Sequence, residues 1–149
     1  MAKFEQSIDI KAPVGTVWSI LTNPGQWPLW FPDVQSVSGL PAVQAGATFQ
    51  WQSGGPGAGT GSVVRAEPEH RLQVVTRMEE HQATHTFEVN RRGGLFGGGG
   101  ARLQYTLEFK SAGGLIGEVV AGGNPVDLLK VKNAVTKVRD LAQREAGRR

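Results

Sequence analysis

The sequence predicts an α+β fold: a seven-stranded antiparallel sheet covered by a long C-terminal helix, with two short helices after the first strand. Three observations predict it. Residues 3–10 alternate as a strand and run directly into a proline-led helical segment. Residues 124–143, NPVDLLKVKNAVTKVRDLAQ, carry one long amphipathic period. Between 33 and 110 the apolar period is two, interrupted at hairpin-like intervals. A long helix lying over a strand-built shell encloses a hollow.

In the first strand Phe4, Gln6, Ile8 and Ile10 face one way, and Lys3, Glu5, Ser7 and Asp9 the other. One face therefore meets a core and the other meets water. Pro13 suits the first turn of a helix, where its missing N–H costs nothing. Val14, Val17, Trp18 and Leu21 follow as one apolar stripe. Asn23-Pro24-Gly25 stops that helix, and a second short helix or turn over 26–31 carries Trp27 and Trp30. Strands are expected at 33–40, 48–52, 61–67, 71–79, 83–91 and 102–110. The links between them include a flexible glycine-rich turn at 53–59, a tight turn at 67–70, a tip at Glu80-His81-Gln82 and a loop at 92–100.

The last helix has the strongest local signals. Asn124 is a good N-cap, Pro125 sits at N1, and Asp127 adds negative charge in the first turn. Leu128, Val131, Val135, Val138 and Leu141 with Ala142 form its apolar stripe, while Lys130, Lys132, Lys137 and Arg139 lie largely on the wet side. Twenty helical residues span ~30 Å, enough to cross the whole sheet.

Composition narrows the function classes. A chain of 149 residues fits one domain and buries roughly 70% of its unfolded surface. With no cysteine, disulfides and thiolate metal sites are excluded, and a reducing compartment fits. No signal peptide is evident, and no apolar run approaches the ~18 residues of a membrane span. A cytoplasmic protein with no integral membrane segment is expected. Sixteen Lys and Arg against thirteen Asp and Glu give a net charge of +3, scattered along the chain. The one basic cluster, Arg144, Arg148 and Arg149, is terminal, and a nucleic-acid footprint needs a stripe with stacking aromatics. No nucleic-acid partner is expected.

The order strand, two short helices, six strands and long helix resembles the START-like superfamily, in particular its polyketide cyclase/dehydrase-like (SRPBCC) branch. The residues that carry the likeness are IDIKAPVGTVWSILTNPGQWPLWFPDVQSV at 8–37, RAEPEHRL at 65–72 and the closing helix. The likeness covers essentially the whole chain, and its motifs are packing and turn residues, specific for fold and nearly silent on activity. It implies the helix-grip fold, a bent sheet gripping the last helix around a cavity whose mouth lies near the short helices and the strand-connecting loops. Members of the group include polyketide cyclases and dehydratases, lipid and hormone binders, and interaction modules, so function has to be argued from the site.

Strand phase selects the cavity residues. His85 shares a face with Phe87, and Thr76 lies on the face of Met78. Tyr105 shares its face with Leu103, Leu107 and Phe109, and Gln6 with Phe4. Trp51 offers a flat wall, Trp27 and Trp30 stand at the rim, and Asn133 lies beside the apolar stripe of the last helix. An imidazole, a phenol and an amide in an apolar hollow are the usual furniture of a small-molecule pocket. In an enzyme, His85 would shuttle a proton and Tyr105 would act as acid or oxyanion donor. The same two residues also read as hydrogen-bonded core. Arg65 shares a face with Val63, as an inward charge or a sheet-edge residue.

Other chemistries find little support. His81-x-x-x-His85 crosses a turn into a strand and lacks a third ligand, so no metal is expected. Neither glycine-rich stretch ends in the GK[ST] of a P-loop, and no Gly-x-Ser-x-Gly elbow occurs. Leu95 and Phe96, among six glycines at 92–100, either pack as a loop tip or cover the cavity mouth. The leading expectation is a binder of a hydrophobic or aromatic small molecule, needing no cofactor. The alternatives are a cyclase- or dehydratase-type enzyme using the same cavity, and an interaction module for a protein partner or a second copy, docking through the 92–100 loop and the basic terminus.

Overall fold

In the computed structural model, residues 2–31, 34–40, 42–53, 58–78, 81–92, 100–111 and 125–147 are described. The order is β1 (Ala2–Ile10), α1 (Val14–Leu21), a 3-10 turn (Pro24–Gln26), α2 (Trp27–Trp30), β2 (Val34–Ser38), β3 (Thr48–Ser53), β4 (Ala58–Glu67), β5 (Arg71–Met78), β6 (His81–Arg92), β7 (Gly100–Ser111) and α3 (Pro125–Gly147). All pairings are antiparallel, in the spatial order β1-β7-β6-β5-β4-β3-β2. The first strand thus closes on the last, and α3 packs on β1, β7, α1 and α2. This is the α+β helix-grip arrangement. Asn124, Leu95, Phe96, Arg148 and Arg149 lie outside the described residues, as do the side chains of Asp127, Leu128 and Phe109.

Alternation builds the interior wall. Leu72, Val74 and Thr76 on β5, His85, Phe87 and Val89 on β6, and Ala101, Leu103, Tyr105 and Leu107 on β7 are all buried. From α3, Val131, Ala134, Val135, Val138 and Ala142 are buried in the same core, the stripe expected from a 3.6-residue period.

Local differences from the sequence reading have physical causes. Pro13 is the extended N-cap residue of α1 rather than its first turn. The helix buries Thr16 along with Val14, Val17, Ile20 and Leu21, leaving Trp18 only half-buried. Asn23 accepts a hydrogen bond from the Gly25 N–H at 3.1 Å and starts the 3-10 turn. The pairing of β4 with β5 shifts between Val63 and Arg65, so that Val64 and Arg65 both emerge into solvent. Arg65 therefore faces outward, 3.6 Å from Glu67. A bulge inserts one residue and inverts the expected phase beyond it.

β4 begins at Ala58, three residues before the expected start, because two of its glycines are covered by aromatic rings. Phe49 lies opposite Gly61 and Trp51 opposite Gly59. A Cβ at Gly61 would stand inside the Phe49 ring, and one at Gly59 would meet the Trp51 indole and the Arg77 carbonyl. The Trp51 indole also donates to the Thr60 carbonyl at 3.0 Å. These glycines mark a close approach of ring and backbone, not a flexible turn.

Gly61→Ala is expected to lower the free energy of unfolding in urea by about 1–3 kcal/mol through overpacking. In a Phe49→Leu background the same change should cost less than about 1 kcal/mol, since the two sites share one contact. Equal losses in both backgrounds would remove the ring as the cause.

Candidate functional site

The register of three neighbouring strands places an imidazole between two hydroxyls. His85 on β6 is opposite Val74 on β5 and Leu107 on β7. Thr76 and Tyr105 therefore lie on its two diagonals, within reach of a ring. Thr76 Oγ1 is 3.0 Å from His85 Nε2, and Tyr105 OH is 2.6 Å from His85 Nδ1. The three side chains are 6%, 4% and 0% exposed for Thr76, His85 and Tyr105.

Aromatic rings surround this chain. Phe31 packs on His85 with ring centres 4.6 Å apart, and Phe87 stacks on Tyr105 at 4.4 Å. Trp30 stands edge-on to Phe87 at 5.3 Å. Burial pushes the His85 imidazole from 6.5 down to about 3, because a charged ring in this apolar shell would lose its hydration. His85 is therefore neutral near pH 7, with one nitrogen donating and the other accepting.

A proton count follows. The three side chains carry three polar protons and make two hydrogen bonds among themselves. One hydroxyl proton is therefore directed beyond the chain: from Tyr105 when Nδ1 carries the imidazole proton, and from Thr76 when Nε2 carries it. The imidazole tautomer thus decides which of the two hydroxyls donates within the chain.

Trp27, Trp51, Phe87 and Leu107 are buried with the polar chain, and Met78 is half-buried against the same core. Gln6 pairs in register with Tyr105 and is half-buried. Asn133 is exposed, on the wall of an outer groove rather than in the interior. That groove, of about 380 Å³, runs between α2, the start of β2 and α3, lined by Pro28 to Phe31, Val34, Gln35, Lys130, Asn133, Ala134 and Lys137. Phe31, one of these lining residues, is the ring that packs on His85. Trp30 is 2% exposed, and its indole N–H has no acceptor among the described residues.

Phe31 was missed from sequence because it ends the α2 segment, where neither helical nor strand phase assigns a direction. The groove wall had a legible signal in the spacing of Lys130, Asn133, Ala134 and Lys137, one face of a helix. His81 and His85 are four residues apart on one strand, ~13 Å along it, too far to share an ion. No cluster of metal-ligating residues occurs among the described residues, and no helix there is long and apolar enough to cross a membrane.

Comparison with known proteins places this geometry. The family model for polyketide cyclase/dehydrase and lipid transport matches residues 1–141. The chain belongs to this family. Solved structures of the same fold agree with the assignment. A Mesorhizobium loti protein, MLL2253, superposes with a TM-score of 0.71 at 16% identity, covering 95% of this chain and 97% of its own. A Rhodobacter sphaeroides protein gives 0.67 at 18% identity, over 94% of this chain and 91% of its own. DynU16, from the dynemicin biosynthetic locus, gives 0.65 at 19% identity, with 99% of this chain spanning 48% of its length. No curated protein matches the chain. At such identities the likeness is one of fold, and the polyketide cyclase-like family read from residues 8–37 and 65–72 is the one found.

His85 makes stability depend on pH. Its imidazole binds a proton near 6.5 when unfolded and only near 3 when folded, so the unfolded chain holds more protons between these values. Stability then rises with pH across that window and is lost as pH falls below 6.5. Acidification from about pH 7 to about pH 4 should cost roughly 3 kcal/mol through this group. His85→Gln should flatten that slope, and an unchanged slope would show that other groups carry it. Tyr105→Phe strips the partner of His85 Nδ1 and should cost about 1–3 kcal/mol in chemical denaturation.

Proposed function

We propose that the protein binds a hydrophobic or aromatic small molecule bearing a carbonyl or hydroxyl oxygen, in the interior between the sheet and α3. The observation that carries this reading is the Thr76–His85–Tyr105 chain, hydrogen-bonded end to end inside an aromatic shell. A core needing only stability is served as well by apolar residues, since buried polar groups cost free energy unless paired. A polar chain inside an apolar shell can orient a ligand held mainly by apolar burial. That burial contributes about 25 cal/mol per Å² before the costs of association. Trp51, Met78, Phe87 and Leu107 would supply apolar surface.

The cyclase or dehydratase reading uses the same residues but asks more of them. As a general acid near neutral pH His85 would have to be an imidazolium, which burial disfavours, so that role would fall to Tyr105 alone. Binding is therefore placed ahead of acid–base catalysis. Membership of a family named for both cyclisation and lipid transport supports a small-molecule ligand without choosing between them.

Native mass spectrometry of the purified protein, followed by denaturing extraction, tests this reading. A defined small molecule is expected to copurify and to be lost from His85→Ala and Tyr105→Phe. If the protein is empty and gains no thermal stability from aromatic ketones, phenols or lipids, the binding reading fails.

A further inference from the structure

We propose that Phe31 is a gate: the end of α2 swings away from the sheet, lifts the Phe31 ring off His85, and opens the outer groove onto the Thr76–His85–Tyr105 chain. This inference rests on the interior-binding reading above and supplies its route of entry.

Some element has to move, because His85 is 4% and Tyr105 0% exposed with Phe31 in place. What each element would give up decides which one. β5 pairs with β6 at eight positions and β6 with β7 at twelve, so parting these strands breaks a long ladder. α3 has 23 residues and buries Val131, Val135, Val138 and Ala142 in the core. α2 has four residues, closed by the bond from the Phe31 N–H to the Trp27 carbonyl. Pro28 and Leu29 within it are already exposed. The chain then enters β2, an edge strand whose pairing with β3 shifts between Val34 and Ser36. Local opening starts where few backbone bonds and little buried surface resist it, and that is α2.

A second, independent observation concerns Trp30. The indole N–H of Trp27 donates to the Leu21 carbonyl at 2.9 Å and that of Trp51 to Thr60. The Trp30 N–H is buried without an acceptor among the described residues. Orphaned buried donors are rare in native proteins and ask for an explanation. A closed form that leaves this donor unpaired is held less firmly, since opening returns the group to water. Trp27, with its indole bonded to α1, stays as the fixed end about which Pro28–Phe31 move.

Position completes the case. Phe31 lines the outer groove and also packs on His85 at 4.6 Å, so one residue belongs to both sides. The groove of about 380 Å³ has room for a displaced phenyl ring, since a cavity of about 150 Å³ holds benzene. The place Phe31 leaves is bordered by His85, Trp27, Trp30 and Phe87. An apolar or aromatic part of a ligand entering there meets rings on several sides and the imidazole at its end. Phe87 makes a useful contrast, because it stacks on Tyr105 and is 1% exposed but is absent from the groove lining.

The test times the modification of each histidine of the full chain by diethyl pyrocarbonate near pH 7, read by mass spectrometry, at several urea concentrations below the unfolding transition. His70 and His81 are exposed and report the unhindered rate. His85 should react more slowly than either, at a rate nearly independent of urea, because a gate exposes little surface when it opens. Phe31→Leu should speed His85 at least about threefold, the worth of one or two lost ring contacts, and leave the urea independence in place. Phe87→Leu trims a ring on the inner side and should change the His85 rate only through global unfolding. A His85 rate that climbs with urea along the global unfolding slope from the lowest concentration overturns the gate, and this arm needs no variant to fold. Equal acceleration by Phe31→Leu and Phe87→Leu overturns it as well. No ligand enters the measurement, so the gate and the binding reading, which copurification decides, fail separately.

Discussion

Trp27 is fully buried and held on every side. Its indole N–H donates to the Leu21 carbonyl at the end of α1, and its ring meets Phe49 edge-on at 5.4 Å, Phe31 at 5.0 Å and Trp30 at 6.4 Å. One side chain thereby ties α1, α2 and β3 together. Aromatic pairs of this kind contribute about 0.5–1.5 kcal/mol each beyond the area they bury. The order of the site follows from this anchor, because Trp30 and Phe31, its neighbours in the chain, are the rings that reach Phe87 and His85. A four-residue helix has no stability of its own, so its place is set by Trp27.

The polar chain depends on a different constraint, the register of β5, β6 and β7. A slip of one residue in either pairing would turn His85 away from Thr76 or Tyr105 and move the slipped strand's whole apolar set to the solvent face. The buried wall and the site are thus specified together. The imidazole is kept neutral by the same aromatic packing that excludes water, which couples the protonation of His85 to folding. The turn at 67–70 adds a further brace. Glu69 adopts a left-handed backbone, φ 60°, and its carboxylate stands beside Gly15 in the first turn of α1. That helix has no acidic residue of its own there, so the turn supplies the negative charge that its N-terminus favours.

Much of this was legible in the residues. Strand phase put His85, Thr76 and Tyr105 on inward faces, and helical period put Val131, Val135 and Val138 toward them. Other features were not. The outward placement of Arg65 depends on a bulge whose extra residue has no sequence marker. The strand character of 58–61 depends on rings of β3 that cross its glycines, a contact between segments. The half-exposure of Trp18 reflects how α1 is rotated against α3 and the sheet, which its own stripe leaves open by one position.

The sequence by itself determined the periodicities, and through them the order of elements, the faces they bury and the family they belong to. Periodicity is a property of neighbours in the chain, so it survives without coordinates. Only the tertiary structure decided that an imidazole, a phenol and a threonine hydroxyl from three strands meet within hydrogen-bond distance. It also decided that Phe31 closes over them and that Lys130 and Lys137 border the groove outside. Those facts depend on register, bulge and helix rotation, which are set by packing between segments distant in sequence.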